Sequence, residues 1–519
     1  MTHDTRPKTK EKEEITIQDA RPEYGLDRRD FIKGSVALGI GGVLLTSFGI
    51  SETVAAPSKA TPGKPGAMRD LQAYVQVLES KGLLARVRTE VDLVHELAGV
   101  AKHFEGKEVV LFEKVKGYDM PVIIGLMWSR KNIGALFNVT AEELPFHIGD
   151  AVGKWLSNPS AFAPVIVSDA PAQEVRITPV DLRKLPTPVL ALDDGGHFLS
   201  NSVVIAKDPD TGVHTHAIHR CMITGPDRMT FLLDMGRRLR NFYERAEKRN
   251  QPLEVTINNG GNLPFSISSA IPSRLVPQGA EKMGIASALL GEPVRLCKST
   301  TVATEGLADA QFIIEAELLP HVREPEGPFG EVSGYYANLD NRWVMKIKAI
   351  TRRRNPIVNT LLPGAEVYNY VGLTAEVAVF RSVSSKVEGV KNVYLAHSGG
   401  GFYTAIVQMD PKVQGAAREA IPLAFQAFPP LQIVTVVNSD IDIFNADDVQ
   451  WAMATRFHPD RDLIIMKDQP GHELNPQVVN NRMTKIGFDC TYPVGKDEVF
   501  KRVAFKKVDL SKYKYTIRK

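Results

Sequence analysis

The spacing of apolar positions changes several times along the chain, and each spacing predicts an element. Leu71, Val75, Val77 and Leu78 recur at helical intervals and Gly82 follows as a stop, so a helix is expected over 69–82. The unbroken apolar runs Val109 to Phe112 and Val122 to Gly125 are too short for helices and read as strands. Asn201 to Lys207 and Val213 to Thr224 flank Asp208-Pro209-Asp210-Thr211-Gly212, whose proline and glycine suit a turn, and together they predict a hairpin. Met235 to Asn250 is expected as a basic helix and Gln311 to Leu319 as a strand. Trp343 to Thr351 and Ile357 to Leu362 predict a second hairpin across Arg354-Asn355-Pro356.

Beyond Gly364 the rhythm becomes helical. Glu366 to Ser385 and Lys412 to Phe428 read as helices, and Leu431 to Val437 as a β-branched strand. Asn445 is placed to cap a helix whose first turn carries Asp447 and Asp448, as the helix dipole favours. The expected fold class is therefore α+β. A small N-terminal α/β domain covers 68–130, and a β-rich, split-barrel-like domain covers 131–350. A C-terminal α/β domain covers 365–500, followed by a tail at 501–519.

The first sixty residues follow a different pattern. Residues 2–27 are polar, Arg28-Arg29-Asp30-Phe31-Ile32-Lys33 follows, and then comes the uncharged run Gly34 to Ile50. Thr53-Val54-Ala55-Ala56 is a small-residue site suited to a signal peptidase, so 1–56 reads as a twin-arginine signal. The apolar run contains five glycines and makes a poor membrane span. An uncleaved membrane anchor and a chance pair of arginines are the other readings. Residues 57–67 (PSKATPGKPGA) form a linker. The expectation is a periplasmic or otherwise exported protein that crosses the membrane already folded, with the Tat translocase as a partner.

Composition adds mainly exclusions. The 519 residues carry 63 basic and 60 acidic side chains, a formal charge of +3, which offers no nucleic-acid surface. Cys221, Cys297 and Cys490 are far apart and odd in number, so neither a disulfide framework nor a CxxC metal site follows, and buried thiols are expected.

Two segments carry candidate chemistry. Glu324-Pro325-Glu326-Gly327-Pro328-Phe329-Gly330-Glu331 reads as a stiff loop that holds Glu326 and Glu331 at a set separation, suited to general acid–base work. A solvated acidic turn is the plainer reading. Val213-His214-Thr215-His216-Ala217-Ile218-His219-Arg220 places 214, 216, 218 and 220 on one strand face and 215, 217 and 219 on the other. His214 and His216 can share a metal ion, flank an anion, or merely furnish a polar strand face.

These segments also carry a family resemblance. EPEGPFGE with Val332-Ser333-Gly334-Tyr335-Tyr336, and Ile218-His219-Arg220 after a DPDTG turn, resemble the signature loop and flavin-contacting strand of the UbiD-type decarboxylases. Further matches follow in the family's order: Ala288-Leu289-Leu290-Gly291-Glu292-Pro293-Val294, Val387 to Val393, Asp440 to Asn445 and Lys485 to Thr491. The resemblance implies reversible, non-oxidative decarboxylation of an aromatic or α,β-unsaturated acid. It implies prenylated FMN as electron sink, a flavin prenyltransferase as cofactor supplier, and a homodimer or larger homo-oligomer joined through the C-terminal domain. Glu326 takes the place of the proton donor, with Arg220 and Glu331 completing the network. Ile218, His219, Arg220, Ser269, Pro272 and Lys282 are the implied cofactor contacts.

At the metal site the chain departs from the family pattern. The family binds the flavin phosphate through a divalent ion, usually manganese, held by Asn, His and Glu. Those positions fall here on Thr215, near Gly236 with Arg237 and Arg238 alongside, and on Lys282 beside Glu281. Thr215, His216 and Glu281 are the remaining candidate ligands. Three alternatives stay open: Lys282, Arg237 and Arg238 replace the ion; a metal survives on ligands drawn from His214, His216, Asp234 and Glu281; or flavin binding is lost. They leave two rival functions beside the decarboxylase, a flavin-free metal-dependent lyase or hydrolase and a non-catalytic binding protein.

Overall fold

The structure, a computed structural model, describes residues 68–514 except Met235, together with Thr516. The expected signal and linker therefore lie outside the described residues. Among those described, no helix is long and apolar enough to cross a membrane.

The first helix, Leu71–Ser80, starts where Asp70 accepts a hydrogen bond from the Ala73 amide and buries Leu71, Tyr74, Val75 and Leu78. Its apolar stripe packs over a four-stranded sheet in the order Leu84–Val87, Val109–Phe112, Val122–Ile124, Val358–Asn359. The last of these corrects the second expected hairpin. Trp343 to Thr351 belongs to the strand Asp340–Arg352, but Val358 and Asn359 pair in parallel with Val122 and Ile123 in a different sheet. A continuous apolar run fits either partner equally well by pattern, so periodicity alone does not choose between them.

A barrel fills the middle of the chain. Its strands run in the order Phe312–Glu326, Leu253–Asn259, Phe198–Lys207, His214–Gly225, Arg228–Phe231, Asp340–Arg352, and pairing of the last with the first closes it. Closure leaves no unpaired edge among these strands. Val204, Cys221, Phe231, Ile257 and Ile314 belong to the buried core. All three cysteines are buried and free, as expected.

Four helices are absent from the sequence expectation: Arg130–Phe137, Leu144–Ser157, Leu263–Ala270, which lies against the barrel strand His214–Gly225, and Met283–Leu290, which packs on Leu263–Ala270. Leu263–Ala270 is buried on every side, so it shows no amphipathic period to read. The basic helix begins at Arg238 rather than Met235.

The long helix Ala365–Ser384 leads into a five-stranded sheet ordered Val390–Leu395, Thr404–Met409, Ile433–Val437, Arg482–Cys490, Leu463–Pro470. Its buried Glu376 receives two hydrogen bonds from Arg130, at 2.6 and 3.0 Å, and one from the Leu395 amide at 2.7 Å. One carboxylate thereby ties an N-terminal helix to the first strand of the C-terminal sheet. The expected helix cap at Asn445 is present, with its side chain accepting from the Asp447 amide.

Candidate active site

Arg220 lies on the barrel strand His214–Gly225, and the backbone is irregular at its position. Leu199 pairs with Cys221 and Ser202 with His219, so Ser200 and Asn201 both stand opposite Arg220 in a β-bulge. The extra residue lies on the partner strand Phe198–Lys207, which bends there. His219 and Arg220, adjacent in sequence, both reach the wall of one cavity, where the period-two reading put them on opposite faces.

The acidic segment is less of a loop than its prolines suggest. Glu324, Pro325 and Glu326 continue the strand Phe312–Glu326 and pair with Arg342, Asn341 and Asp340. The turn is confined to Gly327 and Pro328, and Phe329–Gly330 then pairs with Ala337 and Tyr336. Gly327 has φ +99°, a conformation that excludes most side chains. Glu324 turns aside to an ion pair with Arg228.

Arg220, Glu326 and Glu331 meet as expected. The Arg220 guanidinium donates from Nε to Glu326 Oε1 at 2.9 Å, from Nη2 to Oε2 at 3.3 Å, and from Nη1 to Glu331. It also lies over the Phe329 ring, 5.3 Å from the centroid. The two carboxylates are not equivalent. Glu326 is wholly buried, with Arg342 Nε a further 3.8 Å away, whereas Glu331 lines the cavity. Burial pushes the Glu331 carboxyl up, and Arg220 only partly opposes the shift. Burial works against the charge on Arg220, but Glu331 and Glu326 outweigh it and raise its pKa further.

A loop that the motifs did not flag supports this network. Asp194 accepts hydrogen bonds from the Gly330 and Ala191 amides, each at 2.8 Å, and the Gly195 amide donates to the Pro328 carbonyl at 2.8 Å. A Cβ on Gly195 would lie 2.0 Å from the Gly327 oxygen, so only glycine allows this approach. The Asp-Gly-Gly run is readable as a turn, but its contact with residues 327–330 is not.

The cavity has apolar walls, with Ile218 from the barrel, Phe329 from the short strand after the Gly327-Pro328 turn and Val371 from the long helix. Phe402, His472 and Leu474 cover it from the C-terminal region, and the Phe402 and His472 rings lie 5.1 Å apart. Three polar groups face in without full pairing. His219 hydrogen-bonds the Leu232 carbonyl through Nδ1 at 3.1 Å and leaves Nε2 without a partner. Burial first, then the charges of Arg237 and Lys282, depress its pKa to about 4, against the pull of Asp234. Asp234 Oδ1 is also unpartnered, and Arg237 Nε stands 3.8 Å from Oδ2.

The other implied cofactor contacts lie on the helix pair behind Ile218. Ser269 is buried in Leu263–Ala270, Pro272 follows that helix, and the buried Lys282 donates from Nζ to the Ser269 carbonyl at 2.6 Å. An apolar slot with a protonatable network on one side and cations on another suits a flavin mononucleotide. A divalent ion fits poorly. Thr215 and His216 alternate across the strand, and His216 instead meets Ser268 Oγ at 2.7 Å. Glu281 is occupied by the His214 amide and ring, at 2.9 and 2.8 Å, while Glu305 takes the other ring nitrogen at 2.7 Å. Among the described residues, no group of three or more His, Cys, Asp or Glu side chains is arranged to hold a metal. The structure thus does not bring Thr215, His216 and Glu281 into one ligand set, nor His214, His216, Asp234 and Glu281.

Comparison with known proteins places the chain. Residues 75–152, 165–366 and 368–490 match the N-terminal, Rift-related and C-terminal domains of 3-octaprenyl-4-hydroxybenzoate carboxy-lyase. An uncharacterized protein of the cooM 5' region of Rhodospirillum rubrum is 43% identical, over 86% of this chain and 96% of its own length. Gallate decarboxylase of Lactiplantibacillus plantarum is 30% identical, over 82% of this chain and 94% of its own. The UbiD-class enzyme HmfF of Pelotomaculum thermopropionicum, solved with FMN, is 37% identical, with a TM-score of 0.80 over 86% of this chain and 100% of its own. An evolved dimeric form of HmfF has been solved with prFMN. With all three domains matched in order and the fold shared, this chain belongs to the UbiD family and is an enzyme of that carboxy-lyase class.

Proposed function

We propose that the enzyme decarboxylates an aromatic or α,β-unsaturated carboxylic acid, reversibly and without net oxidation, using prenylated FMN, and that it is exported folded through its twin-arginine signal. The observation that carries the catalytic reading is the buried Glu326–Arg220–Glu331 network opening onto an apolar cavity. The decarboxylases among its relatives and the flavin-bound HmfF structures support it.

When bound, the cofactor would supply the electron sink for the pair left behind as carbon dioxide departs. The protein's share is positioning and proton control. Arg220 keeps N–H donors beyond those used by the two glutamates, and these suit the substrate carboxylate. Ile218 and Phe329 present flat apolar surface, and Phe402 and Leu474 keep water out. The resemblance gave the proton donor's role to Glu326. The geometry favours Glu331, which faces the cavity with a raised pKa, while Glu326 is sealed behind Arg220 and serves to orient it.

The test is co-expression with a flavin prenyltransferase, followed by decarboxylation of a panel of aromatic and unsaturated acids and deuterium incorporation at the product carbon. Glu331→Gln should lower both rates by about 100-fold or more, the range of positioned acid catalysis, with flavin retained. Glu326→Gln should cost roughly 10-fold, through a misplaced Arg220. Near-parental turnover of Glu331→Gln on a confirmed substrate would remove it as the donor.

A further inference from the structure

Lys282 is an unusual residue to find buried. Only 5% of it is exposed, and its Nζ makes one hydrogen bond, to the Ser269 carbonyl at 2.6 Å. No carboxylate pairs with it among the described residues. Burial, with the charges of Arg237 and Arg238 nearby, works against the protonated form of this amine, and an anion arriving beside it would offset that cost.

The surroundings point the same way. Arg238 spends its donors on the carbonyls of Val276, Pro277 and Ala280, at 3.2, 2.8 and 2.8 Å, and so pins the segment that leads into Lys282. Arg237, the residue before Arg238, lines the cavity. Lys282 is also the cap of the helix Met283–Leu290, whose positive end favours negative charge. The adjacent carboxylate, Glu281, is already bonded to His214.

We infer that Lys282 and Arg237 bind the phosphate of the flavin directly, in place of a divalent ion. This inference rests on the flavin reading above. Arg237, together with a Lys282 that takes up its proton as the anion arrives, matches a phosphate monoester of about −2 charge without any bridging metal. Flavin retention should then survive chelation.

The test uses the full-length protein and two probes, FMN and riboflavin, which differ by the phosphate. Fluorescence quenching is titrated in EDTA and again with added manganese. FMN should bind roughly 10- to 100-fold more tightly than riboflavin in EDTA, as charge-assisted contacts predict, and manganese should change this little. Lys282→Met keeps the buried volume and should abolish most of the FMN advantage while riboflavin affinity stays level. Arg237→Gln, at a partly exposed position, should remove a smaller part and guards against a folding artefact at Lys282. If EDTA strips FMN and manganese restores it, the direct-cation inference fails and the flavin reading stands. Should neither probe bind under either condition, the cofactor reading itself fails, and this inference with it.

Discussion

Burial pushes the Glu366 carboxyl up to about 8, against the hydrogen bonds it accepts from the Leu362 and Met127 amides at 2.8 and 3.2 Å. The folded protein therefore holds this proton more tightly than the unfolded chain, where the ordinary value is 4.5. Its contribution to stability is full at low pH and is lost as pH rises from about 4.5 through about 8. At about 1.4 kcal/mol per unit, the loss is roughly 5 kcal/mol at most. Melting temperature should fall across that window and Glu366→Gln should flatten the fall, at a pH-independent cost for the one amide it no longer serves. An unchanged slope in the variant would mean other groups set it. Nothing in the sequence around Glu366 announces this burial. Glu326 and Glu331, by contrast, were legible because proline and glycine spacing marks their segment, and Arg220 through the Ile218-His219-Arg220 strand. Which glutamate faces the cavity was not, since that depends on how the end of the strand Phe312–Glu326 and the turn after it fold around Arg220.

Among the elements, Ala191–Gly196 and Gly327–Gly330 behave as one unit, because the Gly195 backbone touches the Gly327 carbonyl. Gly195→Ala should push the turn away and tilt both network glutamates. Overpacking of this kind costs about 1–3 kcal/mol, and turnover should drop more sharply than stability. Gly99→Ala is the control: its added methyl meets nothing within 4 Å in the helix Glu96–Lys102, and it should be neutral or stabilising. Equal behaviour of the two variants in both assays would dissolve the coupling. Single elements with a clean period, such as Leu71–Ser80 and Ala365–Ser384, were readable from sequence to within two residues. Pairings between distant segments were not, because a strand's pattern records which face is buried but not which neighbour buries it.

For the molecule as a whole, the proposed export makes its own demand. Replacing Arg28 and Arg29 together by lysine should hold the precursor in the cytoplasm, seen by fractionation with the mature form absent from the periplasm. Unchanged periplasmic protein would refute the signal. The order of assembly bears on the same point, through the short strand Val358–Asn359. It supplies the last edge of a sheet whose other strands end at Ile124. The chain must pass through the whole barrel before that edge exists, which is a contact of long sequence separation and slow to form. A ribosome that has delivered only the amino-terminal third has made a sheet with an open flank. The nascent chain must extend beyond Asn359 before that flank can close, and a translocase that accepts only finished passengers would have to wait for it.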